Sequence, residues 1–153
     1  MSQNKLLKIN SFESESSELI KILEAIINYD SLITQYYFSI PFFDGIPTDN
    51  FEGEFIQFYE EVNEGTNLIK FSFNELITII SGFHQIFDLL LLIDKMPNKF
   101  KRFNIDEEKT MYNEIYITIA YFDGGFWELS STDNLLIDRL SNVIDHAKII
   151  EII

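Results

Sequence analysis

The longest apolar segment, Leu76 to Ile93, places the tightest constraint on what this chain can fold into. It is nearly long enough to cross a bilayer, but Ser81, Gly82, His84, Gln85 and Asp88 interrupt its middle. An aspartate at a bilayer centre costs about 2.5–3.5 kcal/mol, so the segment belongs inside a protein core. Just before it, Ser72-Phe-Asn-Glu75 has the spacing of a capping box. The expectation is one long helix reaching about Lys95, with Leu76, Ile79, Ile80, Phe83, Phe87, Leu90 and Leu91 on its main stripe. Ile77, Ile86, Leu89 and Leu92 widen that stripe almost all round, which makes the helix central.

Other elements follow from local pattern. Ser14 or Ser16 caps a first helix with Glu15 and Glu18 in its first turn and an apolar stripe at Leu19, Ile22, Leu23 and Ile26. Leu6–Phe12 reads as a short edge strand. Tyr36–Ile40 reads as a strand stopped by Pro41, followed by a surface loop through Asp44-Gly45, Pro47 and Asp49-Asn50. Glu54–Val62 and Leu68–Phe73, separated by a polar loop containing Gly65, read as a hairpin. Lys99-Phe-Lys-Arg102 and Asp106-Glu-Glu108 read as loop. Asn113–Asp123 alternates strongly, with Ile115, Ile117, Ile119 and Tyr121 on one face. Gly124-Gly125 then marks a two-residue turn that sets Phe122 opposite Trp127 and Ala120 opposite Leu129. Ser130–Asp133 caps a last helix striped by Leu136, Leu140, Val143 and Ile144, with Asp133, Asp138 and Asp145 facing outward. Consecutive hairpins require antiparallel pairing, so the fold class is α+β: a mainly antiparallel sheet built from hairpins and packed with about three helices.

With 153 residues, one domain spanning 1–153 is expected. Cysteine is absent, which excludes disulfide and thiol chemistry, and the apolar stretch at the start is too short for a signal peptide. A cytoplasmic location is expected by elimination, with no membrane contact. The formal net charge is −14, so a polyanion such as DNA or RNA is repelled, whereas a basic protein is attracted.

The search for chemistry finds little. His84 and His146 are the only histidines. On a helix, His84 and Asp88 at i, i+4 could supply two metal ligands, but no HExxH or similar pattern adds a third. His146, beside Asp145, is explained by the end of the last helix. Glu60-Glu61, Glu107-Glu108 and Glu52/Glu54 mark solvated surface. No phosphate-binding glycine loop and no EF-hand loop occur. The expectation is a protein that is not an enzyme and takes no cofactor or metal. Trp127 is expected in the core, with an exposed anchor patch of Phe122, Phe126 and Trp127 as the alternative, and Tyr121 paired with Glu128 on one face is a candidate binding pair, with Tyr36, Tyr37 and Tyr59 as further candidates.

Size, acidity, α+β order, the absence of cysteine and the lack of a catalytic set together resemble a bacterial immunity protein. These small inhibitors protect a cell against toxin domains of contact-dependent inhibition and related polymorphic systems. The Ile-, Asn- and Phe-heavy composition also fits an AT-rich mobile locus. The resemblance implies a protein partner, a basic nuclease-type toxin domain whose active site the chain covers. An acidic DNA mimic of the anti-restriction or anti-CRISPR kind is the alternative, and a small metal-binding enzyme centred on His84 is a third reading. The densest acidic grouping is expected to bind the partner: Glu52, Glu54, Glu61 and Glu64 along the first hairpin, beside Tyr59. There Glu60 and Glu61 would point to opposite faces.

Overall fold

Residues 76–93 form a short helix followed by a long strand, and this break organises the whole molecule. The computed structural model describes residues 4–49, 52–65, 68–122 and 125–151, without the side chains of 52–56 and 151. The order is β1 (Lys5–Asn10), α1 (Glu15–Tyr29), β2 (Tyr37–Pro47), α2 (Glu52–Glu64), α3 (Phe73–Ser81), β3 (Phe83–Asp94), α4 (Glu108–Glu114), β4 (Ile117–Phe122), β5 (Phe126–Ser131), α5 (Asn134–Val143) and β6 (Ala147–Glu151). Short 3₁₀ turns lie at Ser31–Gln35, Pro97–Lys99 and Ile105–Glu107. The class is α+β, a six-stranded antiparallel sheet with strand order β2-β3-β4-β5-β1-β6. Among the described residues it carries five α-helices, not about three.

The capping box is present. Ser72 Oγ accepts from Glu75 N at 3.2 Å, and the Glu75 carboxylate accepts from Ser72 N at 3.0 Å. The helix it opens ends after Ser81, with Gly82 as C-cap. In the strand beyond, Leu89, Leu91 and Ile93 join the main core, while Leu90 and Leu92 lie with a second cluster on the opposite face. A strand covered on both faces reads as a continuous apolar run, and periodicity alone does not separate it from a buried helix.

The first face carries most of the core. Leu7, Ile9, Leu91, Ile119, Trp127 and Leu129 pack there against α1, α3 and α5, through Leu19, Ile22, Ile26, Ile80, Leu136 and Leu140. Trp127 is fully buried, as expected. The second face is covered in part by α4 and the chain before it, where Leu92, Met111, Tyr112 and Ile115 form a smaller cluster with Phe100 and Phe103 against it.

Four further expectations are corrected. Glu54–Val62 is not a strand but part of α2: Phe55, Phe58 and Val62 stand at i, i+3, i+7, and Phe58 and Val62 are buried. Leu68–Phe73 contributes only a bridge, Phe71 with Phe38. Next, β2 continues through Pro41 to Pro47. It is an edge strand, where a residue without an N–H is tolerated, and its pairing with β3 is irregular between Ser39 and Phe42 and again between Asp44 and Gly45. At Gly45 a Cβ would clash with the Gln85 carbonyl oxygen, so that glycine marks close strand approach and not a loop. Third, β1 is interior, paired on both sides, because β6, unforeseen, adds outside it. His146, at φ 65°, makes the turn into β6. Finally, Phe122 pairs with Phe126 and Tyr121 with Trp127, so the β4–β5 loop is three residues and the register is one step from that expected. Of the Gly124-Gly125 pair, Gly124 lies outside the described residues. Gly125 takes the left-handed conformation at φ 81°.

One carboxylate ties the start of α1 to the sheet. Ser14 makes no side-chain cap, and buried Glu18 folds back instead. It accepts from Phe12 N at 2.9 Å, Ser11 Oγ at 2.5 Å, Glu13 N at 3.4 Å and Trp127 Nε1 at 3.2 Å. Glu18→Ala leaves these donors, the buried Trp127 indole among them, without an acceptor and should lower stability by about 3 kcal/mol, with Glu18→Gln losing about half as much. Urea unfolding midpoints of the two variants check this, and equal midpoints would contradict the role.

Candidate functional site

The acidic surfaces divide once the fold is known. On α2 the expected partner-binding residues Glu61 and Glu64 are exposed, and Glu60 joins them. A helix sets neighbours about 100° apart, so Glu60 and Glu61 share one outer face, contrary to the strand reading. Tyr59 is half-buried against the core and supports the helix instead of standing free. Glu52 and Glu54 lie in α2, but their side chains fall outside the described residues.

Other groupings are occupied. Asp133 accepts from Leu135 N at 3.0 Å and from the Tyr29 hydroxyl at 2.8 Å, so it caps α5 and does not face outward freely. Asp138 pairs with Lys5 at 2.8 Å. Glu107 accepts from Asn104 N at 3.1 Å and pairs with Lys101 at 3.0 Å, and the backbone bond holds its carboxyl below the usual range. Asp106 is exposed.

The basic cluster is absorbed by structure. Arg102 donates to the carbonyls of Pro41 at 2.5 Å, Val62 at 2.6 Å and Gly65 at 3.1 Å, binding the last turn of α2 to the edge strand β2. A guanidinium at a helix C-terminus also meets the negative end of the dipole. Sequence spacing could not reveal this, since the three acceptors are backbone atoms far away in the chain.

The second face of the sheet holds a groove that the sequence did not announce. Between the 3₁₀ turn at Ile105–Glu107, α4 and strands β3–β5 lies a cavity of about 280 Å³. Leu90, Ala120 and Glu128 follow one another across the strands at its floor. Phe42 and Phe122 stand about half exposed beside it, and Ile105 is 94% exposed. Asp88, Glu108 and Glu128 contribute carboxylates, and no lysine, arginine or histidine lines it among the described residues. Burial pushes the Glu128 carboxyl above its ordinary value, Glu108 adds to the rise, and Lys8, its cross-strand neighbour, opposes it. Glu108 accepts from the Tyr112 hydroxyl at 2.6 Å, and burial, with that bond second, raises the phenol. The alternation Trp127-Glu128-Leu129 was the one available signal, an acid inside a strand flanked by buried residues.

One candidate binding pair does not form, and the spacing weighed for a metal does not survive the fold. Tyr121 and Glu128 lie on opposite faces, because Tyr121 sits opposite Trp127 and Glu128 opposite Ala120. Phe122 and Phe126 do meet on the second face, ring centroids 6.2 Å apart, with Lys8 4.4 Å over Phe126. His84 and Asp88 lie on β3, where four residues of rise separate them by roughly 13 Å, too far to share an ion. Among the described residues no group of three or more His, Asp or Glu could hold a metal.

A polar cleft of about 430 Å³ lies among Tyr36, Asp94, Lys95, Lys99, Glu114 and Tyr116. Asp94 is buried, and its oxygens accept from Met96 N at 2.8 Å and Tyr116 N at 2.9 Å, with Lys99 3.8 Å away. Burial raises both phenols, so neither ionises near neutral pH. Tyr37 is exposed on β2. No helix among the described residues is long and apolar enough to cross a membrane. Comparison with family models, curated proteins and solved structures finds no match for this chain.

Because Arg102 holds α2 by three carbonyls, Arg102→Met should lower stability by about 2–3 kcal/mol and speed amide exchange in the last turn of α2, and Arg102→Lys should restore only part. Denaturant unfolding with site-resolved hydrogen exchange checks this. Unchanged exchange around Val62 would contradict it.

Proposed function

We propose that this chain is a protein-binding inhibitor, a cytoplasmic immunity protein that neutralises a basic, nuclease-type toxin domain by covering its active site. It works by association, without catalysis or cofactor. The observation that carries the reading is the acidic outer face of α2. Glu60, Glu61 and Glu64 are exposed together, while the ion pairs among the described residues use Lys5, Lys21, Lys99 and Lys101 on other elements. A net charge of −14 adds a long-range field of the same sign. Such a surface fits a cleft built to hold phosphates, and complementary charge raises association rates toward 10⁸–10⁹ M⁻¹s⁻¹ (order of magnitude).

The test expresses the reading frames that flank this gene and takes as partner one that encodes a toxin domain; flanking frames without any such domain would count against the reading. A stable complex should form, and association should slow by about tenfold or more between roughly 50 and 500 mM salt, with dissociation changing less. Reversing Glu60, Glu61 and Glu64 to Lys should weaken the complex by about tenfold or more. The same reversal at exposed Glu24 and Asp145 should matter little. Asp133 and Asp138 are unsuitable controls, since one caps α5 and the other pairs with Lys5. Association indifferent to salt would reject the electrostatic mechanism, and dependence on Glu24 and Asp145 alone would show that another surface binds. A chain that ignores the toxin but captures a DNA-handling enzyme would favour the DNA-mimic reading.

A further inference from the structure

The groove on the second face has a chemistry that neither the acidic helix nor the core requires. Its floor is apolar and small at the centre, where Ala120 lies between Leu90 on β3 and Glu128 on β5. Its volume, about 280 Å³, falls just below the roughly 300–1,000 Å³ of whole-ligand pockets, so it suits one or two side chains of a larger partner. Exposed aromatics beside an apolar slot are the usual composition of an interface anchor point. Half-buried Glu128 and exposed Glu108 leave negative charge on this apolar floor. Lys8, paired across the strands from Glu128, acts on that carboxylate but holds its ammonium over the Phe126 ring, outside the groove lining.

We propose that this groove docks an extended segment of a protein partner that presents an arginine or lysine beside a leucine or aromatic residue. The apolar side chain lies on Leu90 and Ala120, and the cation enters between Glu108 and Glu128. Charge complementarity selects this occupant. A second copy of the chain would bring its own −14 against these carboxylates, and its Arg102 is engaged by three backbone carbonyls. The inference rests on the protein-binding reading and adds to it a second contact surface, separate from the acids of α2.

A terminally blocked Arg-Leu-Trp-Arg peptide serves as the probe, followed by amide chemical shifts of the whole chain. Saturable shifts should concentrate at Leu90, Ala120, Phe122 and Glu128, and replacing both arginines by citrulline should weaken binding at least tenfold. Ala120→Arg, which fills the slot and adds a cation, should abolish the response. Should that variant fail to fold, the double variant Glu108→Gln with Glu128→Gln, which keeps the side-chain shapes, should bind at least fivefold more weakly. No saturable shifts, shifts centred on Glu60, Glu61 and Glu64, or equal binding of the citrulline peptide would overturn the proposal. Salt-sensitive toxin binding that survives Ala120→Arg would remove the groove and leave the inhibitor reading standing. Peptide binding in the groove without any toxin complex would do the reverse.

Discussion

A strand apolar on both sides needs a cover on each side, and β3 is such a strand. Leu89, Leu91 and Ile93 require one layer, and Leu90 and Leu92 another. The first is supplied by α1, α3 and α5. Among the described residues the second has only α4, seven residues long, with the chain that leads into it. This inequality fixes much else: where Trp127 is buried, why Tyr112 and Met111 turn inward, and why a stretch of β3–β5 remains an open slot between Phe42 and Phe122. The surface offered for docking is the part of the second face that the short helix leaves uncovered.

Polar anchors hold the layers in place with backbone partners more than with ion pairs. Glu18 gathers the residues entering α1 and the buried Trp127 indole onto one carboxylate, so the first helix is fixed to the sheet. Arg102 does the same at the edge, where β2 and α2 would otherwise part. Thr118 and Ser130 lie within 2.5 Å of each other on the second face, satisfying two buried hydroxyls between β4 and β5. The exposed Glu60, Glu61 and Glu64 of α2 take no part in these anchors, and Glu61 accepts from Gln57 on the same helix.

Sequence pattern revealed the class of the fold better than its details. Capping at Ser72, the stripe of α1, the β4–β5 hairpin and the burial of Trp127 rest on local signals, and each is present. The errors share a cause. Leu89–Ile93 is apolar at every position, so no period distinguished strand from helix until Gly82 was seen to end α3. In Glu52–Glu64 aromatic residues suggested a strand, while the i, i+3, i+7 spacing of Phe55, Phe58 and Val62 and the many glutamates favoured a helix. One residue in the β4–β5 loop shifted the expected pairing, which is why Tyr121 and Glu128 were placed together. The groove was least legible. Asp88, Glu108 and Glu128 come from three elements distant in sequence, and only the strand order β3-β4-β5 with α4 above it brings them near one another.

Negative charge sits on an apolar floor where Lys8, the cation paired across the strands from Glu128, lies over the Phe126 ring, and the carboxyl group of Glu128 reports the resulting balance directly. A ¹³C NMR titration of that carboxyl in the free protein measures the balance between burial with Glu108 on one side and Lys8 on the other. The account predicts titration above the ordinary glutamate value of about 4.3. A value at or below the ordinary one would show that Lys8 or solvent already compensates the charge, and the groove would have no electrostatic reason to seek a basic partner.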